Sequence, residues 1–239
     1  MFSRNNYTSV MDYDLFIFDL DDTILMTEHI HYELWLSVLK KCVGPDFSIT
    51  YNEFCSIFHT SIHGGIERYL NDTLGLNGQE VMKLKNQLYI EKLINRPEEF
   101  RLNEGCEEFL KDILAKGKQF VIVTNTRRMI VNTILDQFPI LKLNSRTYCK
   151  EDMIAPKPSH LCFSQVLDDF QCKNPVVFED SLTGIIAART SPCKDVVFVN
   201  KPSYIHYDTI ITNYSPTHVI SNFVGLNSYN HDIQQWSNS

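Results

Sequence analysis

Along most of this chain, short continuous hydrophobic runs alternate with stripes of helical spacing. Leu15–Phe18, Phe120–Val123, Val176–Phe178 and Val196–Val199 are β-branched or aromatic and bounded by polar residues. Runs of that kind predict strands buried on both faces. Arg146–Cys149 is a weaker run of the same type. Between them, Phe109, Leu110, Ile113 and Leu114 follow Gly105 and precede Gly117, which predicts a helix with a glycine stop. Ile130, Ile134 and Leu135 predict a second helix, and Leu161, Cys162, Val166 and Leu167 a third. Strands alternating with such helices indicate an α/β fold with a doubly wound parallel sheet.

One stretch breaks the alternation. From about Met26 to Glu99 no run reads as a strand. His31, Leu34, Trp35, Val38, Leu39 and Cys42 keep helical spacing, as do Phe54, Ile57 and Phe58, then Ile66, Tyr69 and Leu70, then Val81, Leu84 and Leu88. Gly44-Pro45, Gly64-Gly65, Gly75, Gly78 and Pro97 separate them. The expected organisation is therefore a core of residues 12–25 and 100–226 with an all-helical insertion at 26–99. Residues 1–11 and 227–239 are polar and expected to be flexible ends.

Composition narrows the setting. In 239 residues, 44% hydrophobic content is enough for a sizeable core. A net charge of −7 gives no general attraction for nucleic acid or anionic lipid, so an anionic ligand must be held locally, by a metal ion or a few basic groups. Seven scattered cysteines with no CxxC pair argue against a disulfide framework and against a zinc site. No stretch reaches the roughly 18 apolar residues of a membrane span, and the N-terminus lacks a signal-peptide run. The expectation is a soluble, cytoplasmic protein. Its oligomeric state is not legible, although a monomer is compatible with the pattern.

The candidate chemistry sits where strands end. The first run stops at Asp19-Leu20-Asp21-Asp22-Thr23. Residues two apart share one side of a strand, so Asp19 and Asp21 crowd together and call for a cation or a proton. The second run ends in Thr124-Asn125, a hydroxyl and an amide suited to a phosphate oxygen. Lys157-Pro158 precedes a helical stripe, and Glu179-Asp180-Ser181 with Gly184 closes another run. In doubly wound folds, sites form beyond the carboxyl ends of strands, so the four clusters should meet in one crevice.

In order and spacing these clusters resemble the haloacid dehalogenase superfamily of phosphatases and phosphomutases. Phe18-Asp19-Leu20-Asp21-Asp22-Thr23 resembles its first motif, Val121-Ile122-Val123-Thr124-Asn125 its second, Lys157-Pro158 with Phe163 its third, and Phe178–Ile185 its fourth. The resemblance implies a Rossmann-like core with a helical cap. It implies Asp19 as a nucleophile that becomes an aspartyl phosphate, and Asp21 as general acid and base. It further implies phosphate contacts from Thr124, Asn125 and Lys157. Mg2+ would be held by Asp19, the backbone of Asp21, Asp180 and Glu179, the last directly or through water. Asp22 stands where glycine is frequent, and His160 where a second proline is usual.

The insertion between the first two motifs is similar to that of phosphoglycolate phosphatase-like enzymes, sugar phosphatases and β-phosphoglucomutase. His31 and Trp35 recur in the last branch, so His31 is expected to face the crevice. His63 or Arg68 is expected to touch the substrate. The reading is a magnesium-dependent phosphatase of a small phosphorylated metabolite. A sugar phosphomutase is one alternative, and a catalytically silent binding protein another. Asp21 and the Glu179-Asp180 pair argue against haloacid dehalogenation.

Overall fold

The computed structural model describes residues 10–58, 65–201 and 206–226. A six-stranded parallel sheet carries the fold, in the order β5-β4-β1-β6-β7-β8. Its strands are β1 (Leu15–Phe18), β4 (Gln119–Val123), β5 (Arg146–Tyr148), β6 (Pro175–Glu179), β7 (Asp195–Val199) and β8 (His218–Ile220). β1 is central, with Phe18 level with Ile122 of β4 and Phe178 of β6. Its four residues are all buried, as a strand covered on both faces requires.

Alternation along the strands builds two cores. Phe16, Phe18, Phe120 and Phe178 face one way; Phe16, Phe18 and Phe178 meet Phe109 of α5 (Cys106–Ala115), Phe120 meets Phe18, and Phe223 lies beside them. Phe18 and Phe178 stack with ring centres 4.7 Å apart. Leu15, Ile17, Val121 and Val177 face the other way, onto Phe163 and Val166 of α7 (Leu161–Phe170) and Ile185 and Ala188 of α8 (Leu182–Arg189). Two further helices, α6 (Arg128–Gln137) and α9 (Tyr207–Tyr214), complete the layers.

Between β1 and β4 the chain makes the expected helical excursion: α1 (Glu28–Val43), α2 (Tyr51–Phe58), α3 (Gly65–Arg68) and α4 (Gly78–Asn95), with a π-helical turn at Tyr69–Thr73. Trp35, Val38, Leu39, Phe54, Leu70 and Val81 form a core of their own there. The excursion is not sealed off, because Ile30, Leu34, Tyr89 and Leu93 join the core beneath the sheet. It leaves through β2 (Leu25–Met26) and returns through β3 (Arg101–Leu102), which pair antiparallel, Leu25 with Leu102 and Met26 with Arg101. Asn103 fastens the return. Its backbone N–H donates to the Ile24 carbonyl (2.7 Å) and its side chain to the Thr23 carbonyl (3.1 Å).

Several expectations needed adjustment. Val10 is buried in the core, so order begins before residue 12. The weak run at 146–149 gives a strand of three residues, with Cys149 buried just beyond it. The polar-flanked β8 and the two-residue β2 and β3 carry no run long enough to predict. Among the described residues no helix is long and apolar enough to cross a membrane.

Candidate active site

Asp19 follows β1, Thr124 follows β4 and Glu179 ends β6, so adjacent parallel strands deliver all three to one edge of the sheet. Lys157 reaches the same point from the loop before α7. Its Nζ donates to Asp19 Oδ1 at 2.5 Å, to the Val123 carbonyl at 2.7 Å and to Glu179 Oε1. Burial would strip its proton, but Asp19 and Glu179 outweigh burial and hold the ammonium charged.

Asn125 positions this lysine from behind. Its side-chain NH2 donates to the Lys157 carbonyl and its Oδ1 accepts the Lys157 N–H, both at 3.0 Å. Its amide is thus engaged on the loop, where a phosphate contact was expected. Thr124 lies at the same mouth, 1% exposed, and its hydroxyl accepts the Thr126 N–H.

Glu179 is turned inward. Its Oε2 accepts from the Asp180 and Ser181 N–H groups and the Ser181 hydroxyl, at 3.1–3.2 Å, and it has no exposed surface. The carboxylate rests against the first turn of α8, where backbone N–H groups favour an anion. Gly184 leaves room for it, since a Cβ there would overlap the carboxylate. Asp180 faces the cavity, with Oδ1 accepting the Thr23 hydroxyl at 3.2 Å and Oδ2 3.1 Å from the Lys201 ammonium.

Asp19, Glu179 and Asp180 each offer an oxygen within 4.8 Å of the others. Burial pushes Asp19 well above the usual carboxylate range; Lys157 pulls against it, while Glu179, Asp180 and Asp21 add to the rise. Burial likewise lifts Asp180 to about 7, despite Lys201. Crowded, desolvated carboxylates with only oxygen donors are a site short of positive charge, and a hard divalent cation fits that donor set.

Asp21 is two residues from Asp19 yet sits among different partners. It accepts from the Thr27 hydroxyl (2.9 Å) and the Thr126 hydroxyl (2.6 Å), and His31 Nε2 lies 3.5 Å away. Burial alone would raise it, but these donors bring it down to about 2. His31 Nδ1 in turn faces the Lys85 ammonium at 2.6 Å. Burial and then Lys85 hold His31 below its ordinary value. Lys85 itself, buried beside the Trp35 and Tyr89 rings, is lowered by burial to about 8. A chain of polar contacts therefore runs from α4 through α1 to Asp21.

Asp22 explains its own departure from glycine. Its φ of 61° is left-handed, a conformation that aspartate tolerates. Its Oδ1 then accepts the Thr27 and Glu28 N–H groups, both at 3.0 Å, at the start of α1.

These groups line a cavity of about 340 Å³ between the sheet edge and the helical excursion. Asp19, Asp21, Thr124, Asn125, Lys157 and Asp180 line the sheet side; His31, Trp35, Phe54, Ile66 and Lys85 line the helical side. Arg68 is not among the lining residues. It sits on the four-residue α3 with its side chain 71% exposed, paired with Asp72 one turn on. His63 lies outside the described residues.

Lys85, Thr126 and Lys201 also line the cavity, although none stands out in the sequence as a site residue. Lys85 had a signal, a lysine four residues after Val81 in an apolar helical stripe. Lys201 lies two residues past a strand run, where site residues gather.

The model of the haloacid dehalogenase-like hydrolases matches residues 16–198. The chain belongs to that family. A curated relative, the β-phosphoglucomutase of Mycobacterium bovis, is 24% identical over 77% of this chain and 80% of its own. Among solved structures, CbbY from Rhodobacter sphaeroides in complex with phosphate is 18% identical, with a TM-score of 0.74 over 90% of this chain and 96% of that one. A haloacid dehalogenase-like hydrolase from Entamoeba histolytica is 14% identical, with a TM-score of 0.76 over 95% and 100%. At these identities the solved structures speak for the shared fold.

Proposed function

We propose that this haloacid dehalogenase-like protein is a magnesium-dependent phosphatase that hydrolyses a small phosphate monoester through Asp19. The observation that carries the reading is the Lys157 ammonium bridging Asp19 and Glu179 beside Asp180 at one sheet edge. Phosphoryl transfer is governed by positioning and neutralisation of charge. The fixed ammonium of Lys157 offsets charge on both the Asp19 nucleophile and an incoming phosphoryl oxygen. Attack by Asp19 Oδ on phosphorus breaks the ester P–O bond and leaves a phosphoryl group on the carboxylate. The ester oxygen takes a proton from Asp21 and departs as the alcohol. Water then attacks phosphorus, gives its proton back to Asp21 and releases inorganic phosphate from the free Asp19 carboxylate. The Thr124 hydroxyl is within reach of the same mouth and donates to the transferring group.

Asp19, Asp180 and the backbone carbonyl of Asp21 are the groups that would hold Mg2+, with Glu179 joining them directly or through water while it also orients Lys157. When bound, the ion neutralises phosphate charge and polarises the phosphoryl group. Asp21, held as an ionised acceptor by Thr27, Thr126 and His31, is in the state that takes a proton from the hydrolytic water. To protonate the leaving alcohol first, it must carry a proton that these donors now disfavour. The excursion from α1 to α4 serves as a cap that excludes water and selects the substrate.

The test is release of inorganic phosphate from an aryl phosphate with Mg2+ present. Asp19→Asn should abolish it, and an unchanged rate would sink the proposal. A phosphomutase is the second reading, favoured by the Lys85–His31–Asp21 chain from the cap and by the named activity of the mycobacterial relative. Isomerisation of a hexose 1-phosphate without phosphate release would establish that reading instead.

A further inference from the structure

Lys201 is a cation lining the cavity to which the proposed chemistry gives no task. It follows β7, is 10% exposed, and stands among three carboxylates: Asp180 Oδ2 at 3.1 Å, Asp22 Oδ2 at 3.2 Å and Glu28 Oε2 at 3.6 Å. Glu28 opens α1 and also faces Cys55 Sγ at 3.6 Å on α2, where Tyr51 hydrogen-bonds to it as well. One ammonium thus joins a carboxylate on the sheet side to the first two helices of the excursion.

We propose that Lys201 is a positioning residue that shares the Asp180 carboxylate with the divalent cation and so sets how tightly that cation is held. The inference rests on the reading of Asp180 as a metal ligand. A fixed positive charge this close to a ligand oxygen repels a divalent ion docking on the same carboxylate. Glu28 and Asp22 draw part of that charge away from Asp180. Lys201 therefore weakens metal binding, and Glu28 strengthens it by holding Lys201 back.

The two residues should move metal affinity in opposite directions, which loss of packing would not produce. Mg2+ binding to the full-length chain is measured by titration calorimetry, without substrate. Lys201→Met should bind Mg2+ about tenfold more tightly, and Glu28→Gln about threefold more weakly, the size expected of charges at this range when solvent screens them heavily. Lys201→Arg, which keeps the charge, should stay within about twofold of wild type. Unchanged or weaker binding by a folded Lys201→Met overturns the proposal. If that variant shows no cooperative melt, Glu28→Gln decides: weaker binding supports the proposal, and equal or tighter binding overturns it. Asp180→Asn separates the two levels. If the wild type does not bind Mg2+, or Asp180→Asn binds it equally well, the metal reading itself fails.

Discussion

Replacing Gly184 by alanine sets helix propensity against site geometry. Gly184 is the third residue of α8, and alanine inside a helix is ordinarily favoured over glycine by roughly 1 kcal/mol. Here the added Cβ would overlap the Glu179 carboxylate, which has no exposed surface into which to retreat. Moving it strains the Lys157 ion pair and the contacts from Asp180 N, Ser181 N and Ser181 Oγ. Hydrogen bonds to a charged group are each worth about 1.5–3 kcal/mol, so losing two costs roughly 3–6. Setting the propensity gain against that loss leaves a net destabilisation of about 2–5 kcal/mol. A typical domain has 5–15 kcal/mol in hand, so the variant should still fold at room temperature. Urea denaturation measures the change, and phosphate release from an aryl ester measures the accompanying loss of a correctly placed Lys157. A variant as stable as wild type, or more stable, with undiminished turnover would refute the account of Glu179 as a fixed anchor of that lysine.

Other outcomes follow from the same geometry. Lys85 is lowered to about 8, so kcat/KM should fall above that pH as the cavity loses a positive charge, and Lys85→Met should lack this limb. Folding stability should move the other way: between about 8 and 10.5 the unfolded chain binds the extra proton, so the wild type gains stability as pH rises, which denaturant melts across that range would reveal. Asp21, brought down to about 2 from 3.8, contributes stability that is full above 3.8 and lost as pH falls through 2. The contribution is on the order of 2 kcal/mol, and Asp21→Asn should lose that acid dependence in melts between pH 2 and 5. Asn125→Ala frees the Lys157 loop from both amide contacts, so kcat should drop tenfold or more while KM changes little.

The sheet and the site were legible in the chain for one physical reason. Buried parallel strands need unbroken apolar runs, and such runs end where charged groups begin, so Leu15–Phe18 announced both β1 and Asp19. The motif order then placed Thr124, Lys157 and Asp180 on one cavity. What stayed hidden were relations between elements. Asn125 reads as a free amide in sequence, and only the approach of the Lys157 loop shows both its groups taken. Arg68 reads as a cation in the helical stripe just past the Gly64-Gly65 break, and only the fold shows it turned outward to Asp72. Glu179 and Asp180 are neighbours in sequence, yet the end of β6 sends one into the core and the other into the cavity.

The antiparallel pairing of β2 with β3 has a consequence for how this chain can change over generations. Departure at Leu25–Met26 and return at Arg101–Leu102 are side by side, stitched by Asn103 to the Ile24 and Thr23 carbonyls. Seen from the sheet, everything between is a closed loop whose contour length does not enter the register of β1 against β4. Residues gained or lost in its loops, away from Ile30, Leu34, Tyr89 and Leu93 that join the core, are absorbed there, and Asp19 and Lys157 keep their places. Change on the helical side of the cavity can therefore accumulate without moving the sheet edge that carries Asp19 and Lys157, a separation that the chain owes largely to the pairing of Leu25 and Met26 with Leu102 and Arg101.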